Sequence, residues 1–159
     1  MKEGMKTGEE GVELIKHFEG CHLKAYLCPA NVWTIGYGHT RGVLPDDEID
    51  QEAAERLLKE DLEEFEGYVR ELVEYDLTQN QFDALVAWTY NLGPGNLKES
   101  TLLNRVNYGP ISDVPTQIKR WTKSGGKELA GLVRRRNAEA LLWEGRDWRD
   151  FDPSCYSLL

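Results

Sequence analysis

The sequence predicts a mostly helical α+β fold with one small antiparallel sheet near the N-terminus. Three observations carry that expectation. Apolar residues recur at helical spacing from Ala54 to Val69, from Phe82 to Tyr90 and from Leu132 to Trp143. Residues with strand preference (Tyr26, Val32, Trp33 and Ile35) crowd around Pro29-Ala30-Asn31, which can supply a turn. Gly36, Gly38 and Gly42 then loosen the backbone before the helical patterns resume.

The elements follow in order. Thr7 and Glu10 have the spacing of a capping box, and Val12, Leu14, Ile15 and Phe18 form the stripe of a first helix ending near Glu19-Gly20. The segment from Leu23 to Tyr37 reads as a hairpin. Pro45-Asp46-Asp47 suits a helix start, since proline is tolerated at the first position and acids favour the positive end of the dipole. Ala54, Leu57, Leu58, Leu62, Phe65 and Val69 carry that long helix to about Leu72. Thr78 and Gln81 form a second capping box, Phe82, Leu85, Val86 and Tyr90 its stripe, and Gly93 its stop. Ser100 caps a short helix through Val106, Ile118 and Trp121 suggest another, and the segment from Leu132 to Trp143 forms the last. Gly125-Gly126 and Gly131 punctuate the connection between those two.

The chain of 159 residues is read as one domain over 1–159, with an N-terminal lobe over about 12–60 and a helical lobe over about 61–159. A chain of this length buries roughly two-thirds of its unfolded surface, enough for a core without staples. No apolar run approaches the roughly 18 residues of a membrane span, and no charged and apolar leader opens the chain. The net charge of -9 argues against a nucleic-acid partner, whose footprint is a basic face. That charge is polarised: Asp46 to Glu74 holds 13 acidic and 3 basic residues, whereas Lys119 to Arg149 holds 9 basic and 4 acidic ones. Three cysteines, Cys21, Cys28 and Cys155, are too few for a disulfide scaffold, and their spacing matches no zinc site; neither metal nor cofactor is expected.

Glu19 is the first candidate for chemistry. An acid closing a helix faces the negative end of its dipole, which favours the protonated form that a general acid requires. A surface glutamate at a helix end is the plain alternative. The surrounding blocks decide more: Phe18-Glu19-Gly20, Leu23-Lys24-Ala25-Tyr26 and Trp33-Thr34-Ile35-Gly36-Tyr37-Gly38-His39-Thr40. Downstream come Leu77-Thr78-Gln79-Asn80-Gln81-Phe82-Asp83-Ala84-Leu85, Asn91-Leu92-Gly93, Ser100-Thr101-Leu102-Leu103 and Gly131-Leu132-Val133-Arg134-Arg135-Arg136-Asn137-Ala138-Glu139. Together, from about Val12 to Trp143, these blocks resemble the phage-type lysozymes, the muramidase endolysins.

The resemblance implies a lysozyme-like fold with a helical C-terminal lobe. It also implies hydrolysis of the β-1,4 bond between N-acetylmuramic acid and N-acetylglucosamine in bacterial peptidoglycan during phage-mediated lysis, with inversion. The family's catalytic Glu, Asp and Thr fall on Glu19, Cys28 and Thr34. Glu19 would protonate the leaving oxygen, and Thr34 would hold the water or help the middle residue do so. Cys28 is the departure, because two-carboxylate glycoside hydrolysis wants an acid there. Some phage lysozymes resemble this chain in carrying Cys at that place. Cys28 would then position water or act as a thiolate, the alternative being a disabled site. A subset of the family has cysteines where Cys21 and Cys28 stand, and a disulfide between them blocks the site until thiol exchange. That subset carries an N-terminal anchor segment, whereas Met1 to Glu10 is polar here. The resemblance places the enzyme in the host cytoplasm until release, acting then in the periplasm and cell wall, with a monomer as the default.

Thr40 and Tyr26 fall where relatives contact the sugar, so both are substrate-binding candidates; packing explains Tyr26 equally well. His39 is expected to be a hydrogen-bonded structural residue. Trp88, Trp121 and Trp143 are expected in the core, and the Arg134-Arg135-Arg136 run on a solvated face with one buried ion pair. Cys155 is expected to be a bystander. The other functions weighed are a non-catalytic peptidoglycan-binding or tail-associated protein on the same scaffold, and a transglycosylase or chitinase acting on a related glycan. The acidic composition is awkward for an anionic wall, so activity should favour moderate salt, which screens the repulsion.

Overall fold

A computed structural model describes residues 4–151 of the chain. Cys155 therefore lies outside the described residues. The elements are α1 (Glu9–Glu19), β1 (His22–Leu27), β2 (Trp33–Gly36), α2 (Gln51–Leu72), α3 (Gln79–Leu92), α4 (Pro94–Glu99), α5 (Thr101–Tyr108), α6 (Val114–Lys119), β3 (Lys123–Ser124), β4 (Lys127–Glu128) and α7 (Ala130–Trp143). Short 3-10 turns at Ile111–Asp113 and Trp148–Phe151 complete them. The expected α+β class holds: helices dominate, and the strands form two antiparallel hairpins, β1-β2 and β3-β4. No helix among the described residues is long and apolar enough to cross a membrane.

Two compact units emerge, Ile15–Glu64 and Met1–Leu14 with Phe65–Leu159, and their boundaries fall inside the continuous helices α1 and α2. The smaller unit packs Ile15, Ile35, Ala54, Leu58 and Leu62 into its core. In the larger, α7 lies against α3 and α6, and Phe82, Leu85, Trp88, Leu97, Leu102, Ile118 and Leu142 are sealed from solvent. Trp143 is buried as expected, while Trp121 is half-buried and meets Trp88 edge to face at 5.3 Å.

Local sequence explains most boundaries. Gly20, in the left-handed region at φ 69°, stops α1 as its N–H bonds to the Lys16 carbonyl at 2.9 Å. The Thr78–Gln81 capping box forms in both directions, and the Gly93 N–H closes α3 on the Thr89 carbonyl. Ser100 caps α5 by accepting from the Leu103 N–H at 3.0 Å.

Three local expectations fail for tertiary reasons. Helix α2 begins at Gln51 rather than at Pro45. The stretch before it is laid against β1, with Ala25 N–H on the Asp47 carbonyl at 2.9 Å and Ile49 N–H on the Leu23 carbonyl at 2.8 Å. Asp50 starts the helix, accepting from the Ala53 N–H at 2.8 Å. The Thr7–Glu10 capping box is replaced by acids from distant helices. Glu66 accepts from the Thr7 N–H at 2.8 Å and its hydroxyl at 2.6 Å, and Asp83 accepts from the Gly8 N–H at 2.9 Å. Glu10 serves the Trp148 indole N–H at 2.9 Å and Arg149 at 3.1 Å instead. Finally, only Arg134 of the arginine run is exposed. Arg135 and Arg136 are buried, their Nε atoms 3.0 and 3.1 Å from the carboxylate of buried Glu139.

Candidate active site

The candidate residues are assembled by the β1-β2 hairpin and the helix before it. Tyr26 faces Thr34 directly across the hairpin, and Leu27 faces Trp33. The ladder continues past the strand ends: Cys28 N–H donates to the Val32 carbonyl at 3.0 Å. Alternate residues of a strand share a face, so this register puts Tyr26, Cys28 and Thr34 on one side. Asn31 N–H returns to the Cys28 carbonyl at 2.8 Å, with Asn31 in the left-handed region at φ 61°. Asparagine tolerates that conformation better than most residues, which suits it to this turn.

Thr34 is buried at 3% exposure, and its hydroxyl lies 3.0 Å from the Val32 carbonyl. The Cys28 thiol is held below its usual range, chiefly by a hydrogen bond from the Val32 backbone N–H. Slight burial pushes the other way, and the Ala30 N–H, the Thr34 hydroxyl and the N–H of Cys28 itself add to the stabilisation. This is the environment that favours a thiolate. Tyr26 responds to its neighbours in the opposite sense. Burial first, then the negative charges of Glu19 and Cys28, hold its phenol above the usual range. Glu19 is the half-buried last residue of α1. The charges of Glu19 and Cys28 thus both act on the Tyr26 phenol, and Tyr26 opposes Thr34 across the hairpin.

Thr40 is exposed in the loop after His39. Cys21 is an exposed free thiol 3.5 Å from the Gln51 side-chain carbonyl, and Cys28 is also free. His39 is structural, as expected: its ring nitrogens lie 2.8 Å from Asp61 and 2.9 Å from the Arg41 carbonyl. No group of three potential metal ligands occurs among the described residues. One neighbour of the site escaped the sequence reading. The His22 ring meets that of Tyr26 at a tilt, with centroids 4.3 Å apart, a contact that strand alternation does not foretell.

A small hairpin following an acid-tipped helix, with helices and one further short hairpin beyond it, is a lysozyme-like α+β architecture. Residues 16–139 match the phage lysozyme family, and the chain belongs to that family of muramidase-type glycoside hydrolases. The endolysin of Bacillus phage B103 is 45% identical over 142 residues, which are 87% of this chain but only 54% of that protein. The endolysin of Acyrthosiphon pisum secondary endosymbiont phage 1 is 41% identical over 144 residues, 88% of this chain and 99% of that protein. Among solved structures, the muramidase domain of SpmX from Asticaccaulis excentricus aligns with a TM-score of 0.81 at 40% identity, covering 87% of this chain and 97% of that one.

Proposed function

We propose that the chain is an endolysin that hydrolyses the β-1,4 bond between N-acetylmuramic acid and N-acetylglucosamine in peptidoglycan. It acts as a monomer on the cell wall after release from the host cytoplasm. The observation that carries this reading is the hairpin register that sets Tyr26, Cys28 and Thr34 on one face, with the charge of Glu19 acting on Tyr26. Glu19 donates its proton to the glycosidic oxygen as the bond to the anomeric carbon breaks. A water adds to that carbon from the opposite face and loses its proton, with Cys28 orienting or deprotonating it. The burial of Thr34 favours a supporting role, in which its hydroxyl orients the thiol rather than meeting solvent. Tyr26 and exposed Thr40 are the candidate sugar contacts. Inversion fits a general base that activates water.

Replacing Glu19 by Gln tests the reading in a turbidity assay on outer-membrane-permeabilised cells. Lysis falls by about 10²- to 10⁴-fold if Glu19 is the acid. Equal lysis by variant and wild type removes the assignment. A chain that pellets with murein yet never cleaves it is instead a binding protein, and anhydro-sugar products indicate a transglycosylase.

A further inference from the structure

His22 and Tyr26 stand four residues apart on β1, which a regular strand stretches to about 13 Å. Their ring centroids nevertheless lie 4.3 Å apart, with the planes inclined at 44°. The pairing register explains this. His22 pairs with Gly36 and Tyr26 with Thr34, so four steps along β1 oppose two along β2. The surplus residues bulge and bend the strand, a device that re-aims side chains. The imidazole is also placed against the helix end: a Cβ at Gly20 would lie 3.8 Å from His22 Nε2. His22 therefore sits between the backbone that follows Glu19 and the Tyr26 ring. Neither proton transfer nor water attack at Glu19, Cys28 and Thr34 gives it a task.

We propose that His22 is a positioning residue of the candidate site, seating the Tyr26 ring on the face that carries Cys28 and Thr34 and steadying the turn after Glu19. The proposal rests on the reading of that face as the active site. An exposed imidazole is easily removed without disturbing a core, so the role is separable from folding. What His22 supplies is a flat ring, and a flat apolar ring can replace it.

The test compares His22→Ala and His22→Phe in the full chain, using hydrolysis of solubilised peptidoglycan, thermal unfolding and iodoacetamide alkylation of Cys28. Alkylation is run without substrate, in a background with Cys21 and Cys155 replaced by Ser. His22→Ala is expected to lower kcat about tenfold or more, with KM within about twofold. It should also change the alkylation rate of Cys28 and leave the thermal midpoint unchanged. His22→Phe should recover most of the lost kcat. Wild-type kcat in His22→Ala, no recovery in His22→Phe, or a lost thermal midpoint that accounts for the lost activity would each overturn the proposal. Full activity in Glu19→Gln would defeat the reading of the site instead, and the alkylation comparison would still report on the ring pair.

Discussion

His39 has a hydrogen-bond partner at each ring nitrogen, with Asp61 Oδ2 2.8 Å from Nδ1 and the Arg41 carbonyl 2.9 Å from Nε2. A carbonyl only accepts, so Nε2 carries a hydrogen. Nδ1 then either donates to the Asp61 carboxylate or accepts from its acid form. The bond ties the turn after β2 to helix α2. Asp61→Ala should cost about 1–3 kcal/mol, because it leaves a part-buried nitrogen unpaired. Urea unfolding measures this, and a wild-type midpoint would show that the pair contributes nothing.

Cys28 separates a working site from a disabled one. Cys28→Ala should lower lytic activity by about 10²-fold, the scale of a lost general base. Cys28→Asp, which supplies a carboxylate at the same position, should remain active. If alanine lyses cells as fast as cysteine, Cys28 has no part in the reaction.

The Cys21–Cys28 pair predicts redox control. Both thiols are free in the structure, Cys21 beside Gln51 and Cys28 among backbone N–H donors. Capturing Cys28 in a disulfide would remove the thiolate from the site. Oxidised protein should be inactive and regain lysis on reduction, with mass spectrometry identifying the bridge. Equal lysis rates from fully oxidised and fully reduced protein would end the idea.

Asp83 predicts a pH dependence of stability. Burial raises its carboxyl above the usual range, opposed by the Gly8 N–H, the Gln79 amide and the Gly11 N–H, and reinforced by the charge of Glu66. The folded state therefore holds this proton more tightly than the unfolded chain. The contribution of Asp83 to stability is fully present below the ordinary aspartate value of about 3.9 and is lost as pH rises through the raised one. Asp61, also raised chiefly by burial, acts in the same direction. Denaturant midpoints across this window should show a shallower decline for Asp83→Asn than for the wild type. Parallel profiles would contradict the assignment.

Glu139 is the counter-ion of two buried guanidinium groups, its two oxygens 3.0 Å from Arg135 Nε and 3.1 Å from Arg136 Nε. Glu139→Gln leaves both cations without that charge and should cost about 3–5 kcal/mol. Chemical denaturation checks this. A loss below about 1 kcal/mol would mean that the arginines find other compensation.

These cases also mark where the sequence was readable. Patterns confined to neighbouring residues survive folding: the Thr78–Gln81 box, the Gly93 stop and the stripe from Ala54 to Val69 all occur where expected. Features decided by distant partners do not show locally. Thr7 and Glu10 had the right spacing for each other, yet Glu66, Trp148 and Arg149 made better use of them. Arg135 and Arg136 looked like surface charges because the helix stripe says nothing of what lies opposite. Resemblance nominated Glu19, Cys28 and Thr34, but the one-sided register and the left-handed Asn31 needed coordinates. The bulge that brings His22 to Tyr26 left no pattern to read. The β3-β4 hairpin was likewise read only as glycine punctuation.

The nesting of α1 has an evolutionary corollary. A methyl group at Gly11 would lie 2.8 Å from Asp83 Cβ, and one at Gly8 would lie 3.0 Å from Asp83 Oδ2. Positions 8, 11 and 83 therefore cannot drift separately. A lineage that enlarges either glycine must shrink or shift the residue at 83, and in doing so must find another acceptor for the amide of residue 8. Across many descendants, correlated substitution at these three positions would be the visible trace.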